Sequence, residues 1–273
     1  MKTRSIQTAV VTGAASGIGR GLARAAADLG MNVVICDRDE QGLRNIEHEL
    51  NSGAHGVLGL VTDVSDPSAM SRLAEAAWEK FGSVELVISN AGVEVGGKSW
   101  ELSHEEWKRA IDVNLMGPVN CIRAFLPRMV SAGKPAHVAV VSSLGALCSI
   151  GGQAPYMASK HAAQALCESL YLELQRDAPF IRVSSVLPGS VKTQIWQNAL
   201  GAKNDRGRQT MIKLVSKTGI DPELAGRTIL AQILKGEFWV TTDFEMMSMF
   251  AKARGEFMVS RRDPFWHFDP YAE

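Results

Sequence analysis

The chain has 273 residues, and its 29 Lys plus Arg balance its 29 Asp plus Glu, so the formal net charge is zero. That balance excludes a dominant nucleic-acid or anionic-membrane surface, either of which needs a basic excess. The length suits one α/β unit, and Cys36, Cys121, Cys148 and Cys167, with no Cys-x-x-Cys spacing, read as reduced core residues of a cytoplasmic protein.

The first residues, Met1-Lys2-Thr3-Arg4-Ser5, are followed by an apolar stretch that stops at Gly13, which reads as a first strand rather than a signal peptide. No apolar run approaches the roughly 20 residues that cross a bilayer. Short runs rich in Val, Ile and Leu recur at 8–11, 33–36, 56–61, 84–89, 137–142 and 181–187, apolar on successive residues as in strands buried on both faces. Helical patterns lie between them over 17–29, 40–51, 67–81, 104–130 and 153–176, and a helix at 222–234 precedes a strand at 238–241. This βαβα order predicts a single-domain α/β fold: a doubly wound, Rossmann-type parallel sheet of about seven strands with helices on both faces. No repeat or Pro/Ser-rich linker divides the chain.

The turn after the first strand, Thr12-Gly13-Ala14-Ala15-Ser16-Gly17-Ile18-Gly19, spaces its glycines Gly-x-x-x-Gly-x-Gly and opens a helix. A tight turn, close backbone approach and a helix amino terminus suit a dinucleotide pyrophosphate. Asp37 ends the second strand, eighteen residues past Gly19. A carboxylate there can accept hydrogen bonds from ribose hydroxyls and repel a 2′-phosphate, which favours NAD over NADP, as does the uncharged Ser16. Arg38 is a counter-signal, and Asp37 has a competing reading as a helix cap, a role open to Asp39 as well. Asp63-Val64 and Asn90-Ala91-Gly92 close the third and fourth strands on the ligand edge of the sheet. Asn114 sits inside the 104–130 helical pattern, where Asn is a poor fit, and Gly117-Pro118 is expected to bend the helix beyond it.

Ser143 ends the fifth strand thirteen positions before Tyr156, and Lys160 lies four residues after Tyr156. Positions i and i+4 share a helix face. An ammonium beside a phenol favours the phenolate, so the tyrosine is expected to have a lowered pKa and to act as general acid or base at a carbonyl or alcohol oxygen. Ser143 as a turn cap and Lys160 as a solvated charge are the competing readings.

Together these residues resemble the short-chain dehydrogenase/reductase family over residues 6 to about 193, including Pro188-Gly189-Ser190-Val191-Lys192-Thr193 after the sixth strand. The resemblance implies hydride exchange between a nicotinamide cofactor and an alcohol or carbonyl. It implies that Tyr156 moves the substrate proton and that Lys160 lowers the tyrosine pKa and binds the nicotinamide ribose. Ser143 orients the substrate oxygen, and Asn114 holds a water. It places cofactor contacts at Gly13, Ser16, Gly17, Ile18, Gly19, Asp37, Asp63, Val64, Asn90, Ala91, Gly92, Tyr156, Lys160, Pro188, Gly189, Val191 and Thr193, and implies a homodimer or homotetramer. The candidates for self-pairing are the small-residue line Ala158, Ala162, Ala165 and Ser169 on the helix of Tyr156 and the long apolar helix of Asn114, either of which could instead pack on the sheet.

The expected substrate is a small to medium, largely apolar secondary alcohol or ketone. Pocket candidates, chosen by position after strand ends, are Glu94, Val95, Leu144, Ile150, Gln153, Gln194 and Trp196, with Ser143. The polar stretch 194–219 breaks the strand–helix rhythm and is expected to be a mobile lid rather than a solvated connection. The tail over 258–273 carries Phe265, Trp266, Phe268 and Tyr271, and is expected to pack on its own subunit or a neighbour's. The six histidines offer no metal spacing, and no metal is expected.

Overall fold

A computed structural model describes residues 7–51, 53, 55–201 and 206–263. The strands in chain order are β1 (Thr8–Thr12), β2 (Asn32–Asp37), β3 (Val57–Val61), β4 (Leu86–Ser89), β5 (Val95–Gly96), β6 (Ala136–Val141), β7 (Ile181–Leu187), β8 (Leu200–Gly201) and β9 (Trp239–Thr241). Seven of them form one parallel sheet in the order β3-β2-β1-β4-β6-β7-β9, and β5 pairs with β8 apart from it. The chain steps outward from β1 to β3, then returns to lay β4 on the other side of β1. That reversal opens a crevice at the carboxyl ends of β1 and β4, where open α/β sheets bind ligands.

The central strands of the main sheet feed both cores by their two-residue period. Ala9 and Val11 of β1 point into one layer with Val33 and Ile35, against helices α1 (Gly17–Asp28), α2 (Glu40–Leu50) and α8 (Pro222–Lys235). Val10 and Val34 point into the other, against α3 (Pro67–Phe81), α5 (Gly117–Ala132) and α6 (Ala154–Asp177). Phe125 and Leu73 on that side have no exposed surface; burying one such side chain contributes about 2 kcal/mol.

The helical pattern over 104–130 is not one continuous α-helix. A capping box of Ser103 and Glu106 starts α4 (His104–Ile111), a π-helical turn occupies Asp112–Met116, and α5 comes next. Pro118 explains part of the break, because it has no N–H to give the Asn114 carbonyl four residues back. The 194–219 stretch holds more regular structure than its polar sequence suggests: β8 and helix α7 (Arg206–Thr218). After β9, Asp243 caps α9 (Phe244–Val259), the last helix among the described residues. The tail aromatics Phe265, Trp266, Phe268 and Tyr271 lie outside the described residues.

Candidate active site

The glycine turn is shaped by close approach. Gly13 has φ +67°, and a Cβ on Gly19 would lie 2.0 Å from the Gly13 carbonyl oxygen. A side chain at either place would close the cradle. Ser16 sits at the N-cap of α1 yet makes no side-chain cap hydrogen bond, and the first turn holds no acidic residue. The helix therefore presents free N–H groups and a partial positive charge to an incoming anion. Thr193 overhangs this turn; a Cβ on Gly17 would lie 2.9 Å from its Cγ2.

Asp37 accepts a hydrogen bond from Ala15 N at 3.0 Å and another from Asp39 N at 3.0 Å. It braces the glycine turn, while Asp39 caps α2 through Gly42 N. Its carboxylate remains half-exposed at the end of β2 and has lone pairs left for ribose hydroxyls. Arg38 beside it is exposed. Asp63 accepts from Ser65 N at 2.9 Å and Ser65 Oγ at 2.6 Å, and Arg109 Nη1 reaches its other oxygen at 3.2 Å. Burial raises the Asp63 carboxyl pKa, but these partners outweigh it and leave it below the usual range. Neither Arg109 nor its pairing with Asp63 is signalled in the sequence.

Asn90 is a brace as much as a wall. Its Nδ2 donates to Thr12 O at 2.9 Å, while Asn90 N and Ala91 N both donate to Thr12 Oγ1 at 2.9 and 3.0 Å. Thr12, unremarked as a site residue in the sequence, ties the ends of β1 and β4 together. Gly92 is open above the pair of Asn114 and Lys160: a Cβ there would lie 3.3 Å from Asn114 Oδ1 and 3.4 Å from Lys160 Nζ.

The Asn114 side chain is fully engaged in structure. Its Oδ1 accepts from Val93 N at 2.8 Å, and its Nδ2 donates to Val93 O and to Ser159 Oγ, both at 2.9 Å. Ser159 passes the brace onward by donating to Tyr156 O at 2.7 Å. Concealed between two residues of the Tyr–Lys motif, it links the π turn to the first turn of α6.

Tyr156 and Lys160 share one face of α6, with Lys160 Nζ 5.7 Å from the phenol ring centroid. Lys160 Nζ donates to Val141 O at 2.9 Å, and Ser142 Oγ donates to Lys160 O at 2.8 Å, anchoring the helix to the end of β6. Ser143 does cap a turn, accepting from Gly145 N at 3.0 Å. Its hydroxyl also faces the phenol and lowers the Tyr156 pKa. The lowered tyrosine pKa expected from Lys160 is not what the protein alone provides. Burial and the Glu94 charge push the phenol above its ordinary value, outweighing Ser143. Burial also lowers the Lys160 ammonium to about 8, so the cation is a weakened one.

Among the pocket candidates, Glu94, Val95, Leu144 and Gln153 are buried, Ile150 and Trp196 half-buried, and Gln194 exposed. Trp196 is held through its carbonyl, which accepts from Arg208 Nε at 2.8 Å. Val191 bridges to Ile220, and Gly189 N donates to Thr242 Oγ1 at 3.0 Å, so the loop after β7 is tied to the start of α8 and the end of β9. His161 Nδ1 lies 2.8 Å from Met157 O, a local helix contact. Among the described residues no group of His, Cys, Asp and Glu could hold a metal.

The family profile described as short chain dehydrogenase matches residues 7–204. A 1-deoxy-11-beta-hydroxypentalenate dehydrogenase from Streptomyces avermitilis is 38% identical over 206 residues, covering 75% of this chain and 76% of the relative. A short chain dehydrogenase/reductase from Burkholderia phymatum, solved in complex with NAD, superposes with a TM-score of 0.92 at 30% identity, covering 98% of this chain and 100% of that one. An alcohol dehydrogenase from Thermococcus sibiricus, complexed with 5-hydroxy-NADP, superposes with a TM-score of 0.73 at 27% identity over 86% of this chain and 95% of that one. The chain belongs to the short-chain dehydrogenase family. It is an oxidoreductase of that family, and the relatives from Burkholderia phymatum and Thermococcus sibiricus were solved with nicotinamide cofactors bound.

Proposed function

We propose that this protein interconverts a secondary alcohol and its ketone with NAD(H), using Tyr156 as the general acid/base. The observation that carries this reading is the convergence of Ser143, Tyr156 and Lys160 beside the glycine cradle at one edge of the sheet. The cradle, the uncapped start of α1 and the Asp37 carboxylate fit a dinucleotide. A nicotinamide bound there supplies the hydride acceptor or donor. Tyr156 takes the hydroxyl proton as the carbonyl forms, or returns it in reduction. Ser143 donates to the same oxygen as charge develops. Lys160 keeps two N–H donors beyond the one given to Val141 for cofactor hydroxyls and the proton path. Asp37 supports NAD over NADP. The stretch 194–219, which contains α7, is read as the lid over the substrate, and α9 packs by Met246, Met247 and Phe250 against the cluster of Leu144, Ala146 and Leu187 next to Ser143, an apolar wall for an apolar substrate.

Initial rates with NAD and with NADP, on a panel of aliphatic, cyclic and aromatic secondary alcohols followed through cofactor absorbance, test the reading. The expected result is turnover with NAD preferred, and in Tyr156→Phe a fall of at least about 10²-fold in kcat with NAD affinity retained. Stronger turnover with NADP would overturn the role given to Asp37; near-wild-type kcat in the mutant would overturn that given to Tyr156.

A further inference from the structure

Glu94 is 1% exposed, yet neither of its carboxylate oxygens has a hydrogen-bond partner among the described residues. The Val95 N–H favours the ionised form as a nearby dipole but makes no hydrogen bond of good geometry. An unpaired buried carboxyl is costly and is rarely kept without a use. Its surroundings are built. Asn114 grips both backbone groups of Val93 just before it, and Leu200 N donates to the Glu94 carbonyl at 2.9 Å as β5 pairs with β8. The carboxyl lies within electrostatic reach of both Tyr156 and Lys160. A second orphan sits close by in the fold. Gln153, 4% exposed and just ahead of α6, has its side-chain oxygen unpaired, and Gly97 N donates to Gly152 O at 2.8 Å to join the two segments.

We propose that Glu94 binds a second hydroxyl on the substrate, so that the preferred substrate is a diol or hydroxy ketone rather than a simple alcohol. This rests on the alcohol dehydrogenase reading above. The chemistry favours a hydroxyl over an ammonium. Burial raises the Glu94 carboxyl pKa well above the ordinary carboxylate range, against the pull of Lys160, which disfavours a fixed anion–ammonium pair, while a carboxyl in either form can bond a hydroxyl. A protonated carboxyl donates once and accepts once, as a hydroxyl does. A site built to bond a hydroxyl discriminates strongly against analogues lacking it, because its own buried groups are then left unpaired.

The test compares cyclohexanol with cyclohexane-1,2- and 1,3-diols in the wild-type, Glu94→Gln and Glu94→Leu proteins. For at least one diol the wild-type kcat/KM is expected to exceed that for cyclohexanol by about 10²-fold or more. Glu94→Gln, which keeps one donor and one acceptor group, retains most of that ratio, and Glu94→Leu brings it close to one. A parallel binding measurement uses the NAD complex of Tyr156→Phe, where the diol raises the melting temperature more than cyclohexanol does and an added Glu94→Leu removes the difference. A wild-type ratio near one, or a ratio unchanged by Glu94→Leu, overturns the proposal while leaving alcohol oxidation standing. Loss in Glu94→Gln equal to that in Glu94→Leu, with the wild-type ratio high, still supports the contact and assigns it to the ionised carboxylate as acceptor. Absence of turnover with every alcohol and diol strikes the underlying reading instead, and the melting shifts then decide the Glu94 contact alone.

Discussion

Lys160 lies out of water at the root of the site, with Val141 O as its hydrogen-bond acceptor. Desolvation lowers its pKa from 10.5 to about 8, offset in part by the Glu94 charge. The unfolded chain then binds this proton more tightly than the folded one between those two values. Below pH 8 the native state carries the full cost of the buried cation, about 3 kcal/mol. That cost fades as pH rises from 8 to 10.5. Lys160→Met should therefore stabilise the protein by about 1–3 kcal/mol at pH 7 in urea unfolding, with the gain shrinking toward pH 10.5, while turnover is lost. A mutant less stable than wild type at pH 7 would refute this view of the lysine as a stability cost kept for chemistry. The same residue exposes what the sequence conceals. The Tyr156–Lys160 spacing is legible as a helix face, but the sign of the tyrosine shift is not. It depends on burial and on Glu94, which are properties of packing rather than of spacing.

At the scale of elements, although β7 carries Arg182, Ser184 and Ser185 and the edge strands β3 and β9 are partly exposed, the strands of the main sheet are legible because most of their positions are apolar on successive residues. β5 and β8 are not: each is two residues long, too short for any period to register. α7 is hidden by its polar sequence, and α9 by apolar residues spread around the helix, none of which is buried in this chain. The π turn is foreshadowed by Asn114 and Gly117-Pro118 as a bend, though not as a change in helical pitch. The small β5–β8 pair has a functional consequence, since it fixes the backbone at Glu94. Gly201 has φ +91°, and a Cβ on it would lie 2.0 Å from the Gly96 carbonyl oxygen. Gly201→Ala must break this pairing. Because the pair is peripheral to both cores, global stability should fall by only about 1 kcal/mol. Hydrogen exchange at the Leu200 amide should accelerate, and KM for alcohol should rise several-fold with NAD affinity unchanged. An equal loss of NAD affinity would mean that the pair supports the cofactor cleft rather than the substrate side.

For the whole molecule, the question left by one chain is what covers α6. Its buried face is Met157, Lys160, Ala163, Cys167, Leu170 and Leu174. The line of Ala158, Ala162, Ala165 and Ser169 therefore turns away from the sheet, and half-buried Ala162 is its most covered member. Leu172 extends the same stripe at helical spacing and is 69% exposed. Small residues ending in a large apolar one allow close approach of a second helix and then give it something to bury. We propose that α6 pairs with α6 of a second copy about a two-fold axis, which would satisfy this without any other partner. Such a partner would stiffen the element that carries Tyr156 and Lys160. The double variant Ala165→Arg, Leu172→Glu should therefore shift the protein to a smaller species in analytical ultracentrifugation. Because neither side chain enters the core, the secondary structure seen by circular dichroism should be kept. Activity per chain should fall in proportion to the dissociated fraction across a dilution series, and wild-type activity should be flat over the same range. A double variant that sediments as the wild type does would remove α6 from the interface and leave the exposed Leu172 without an account.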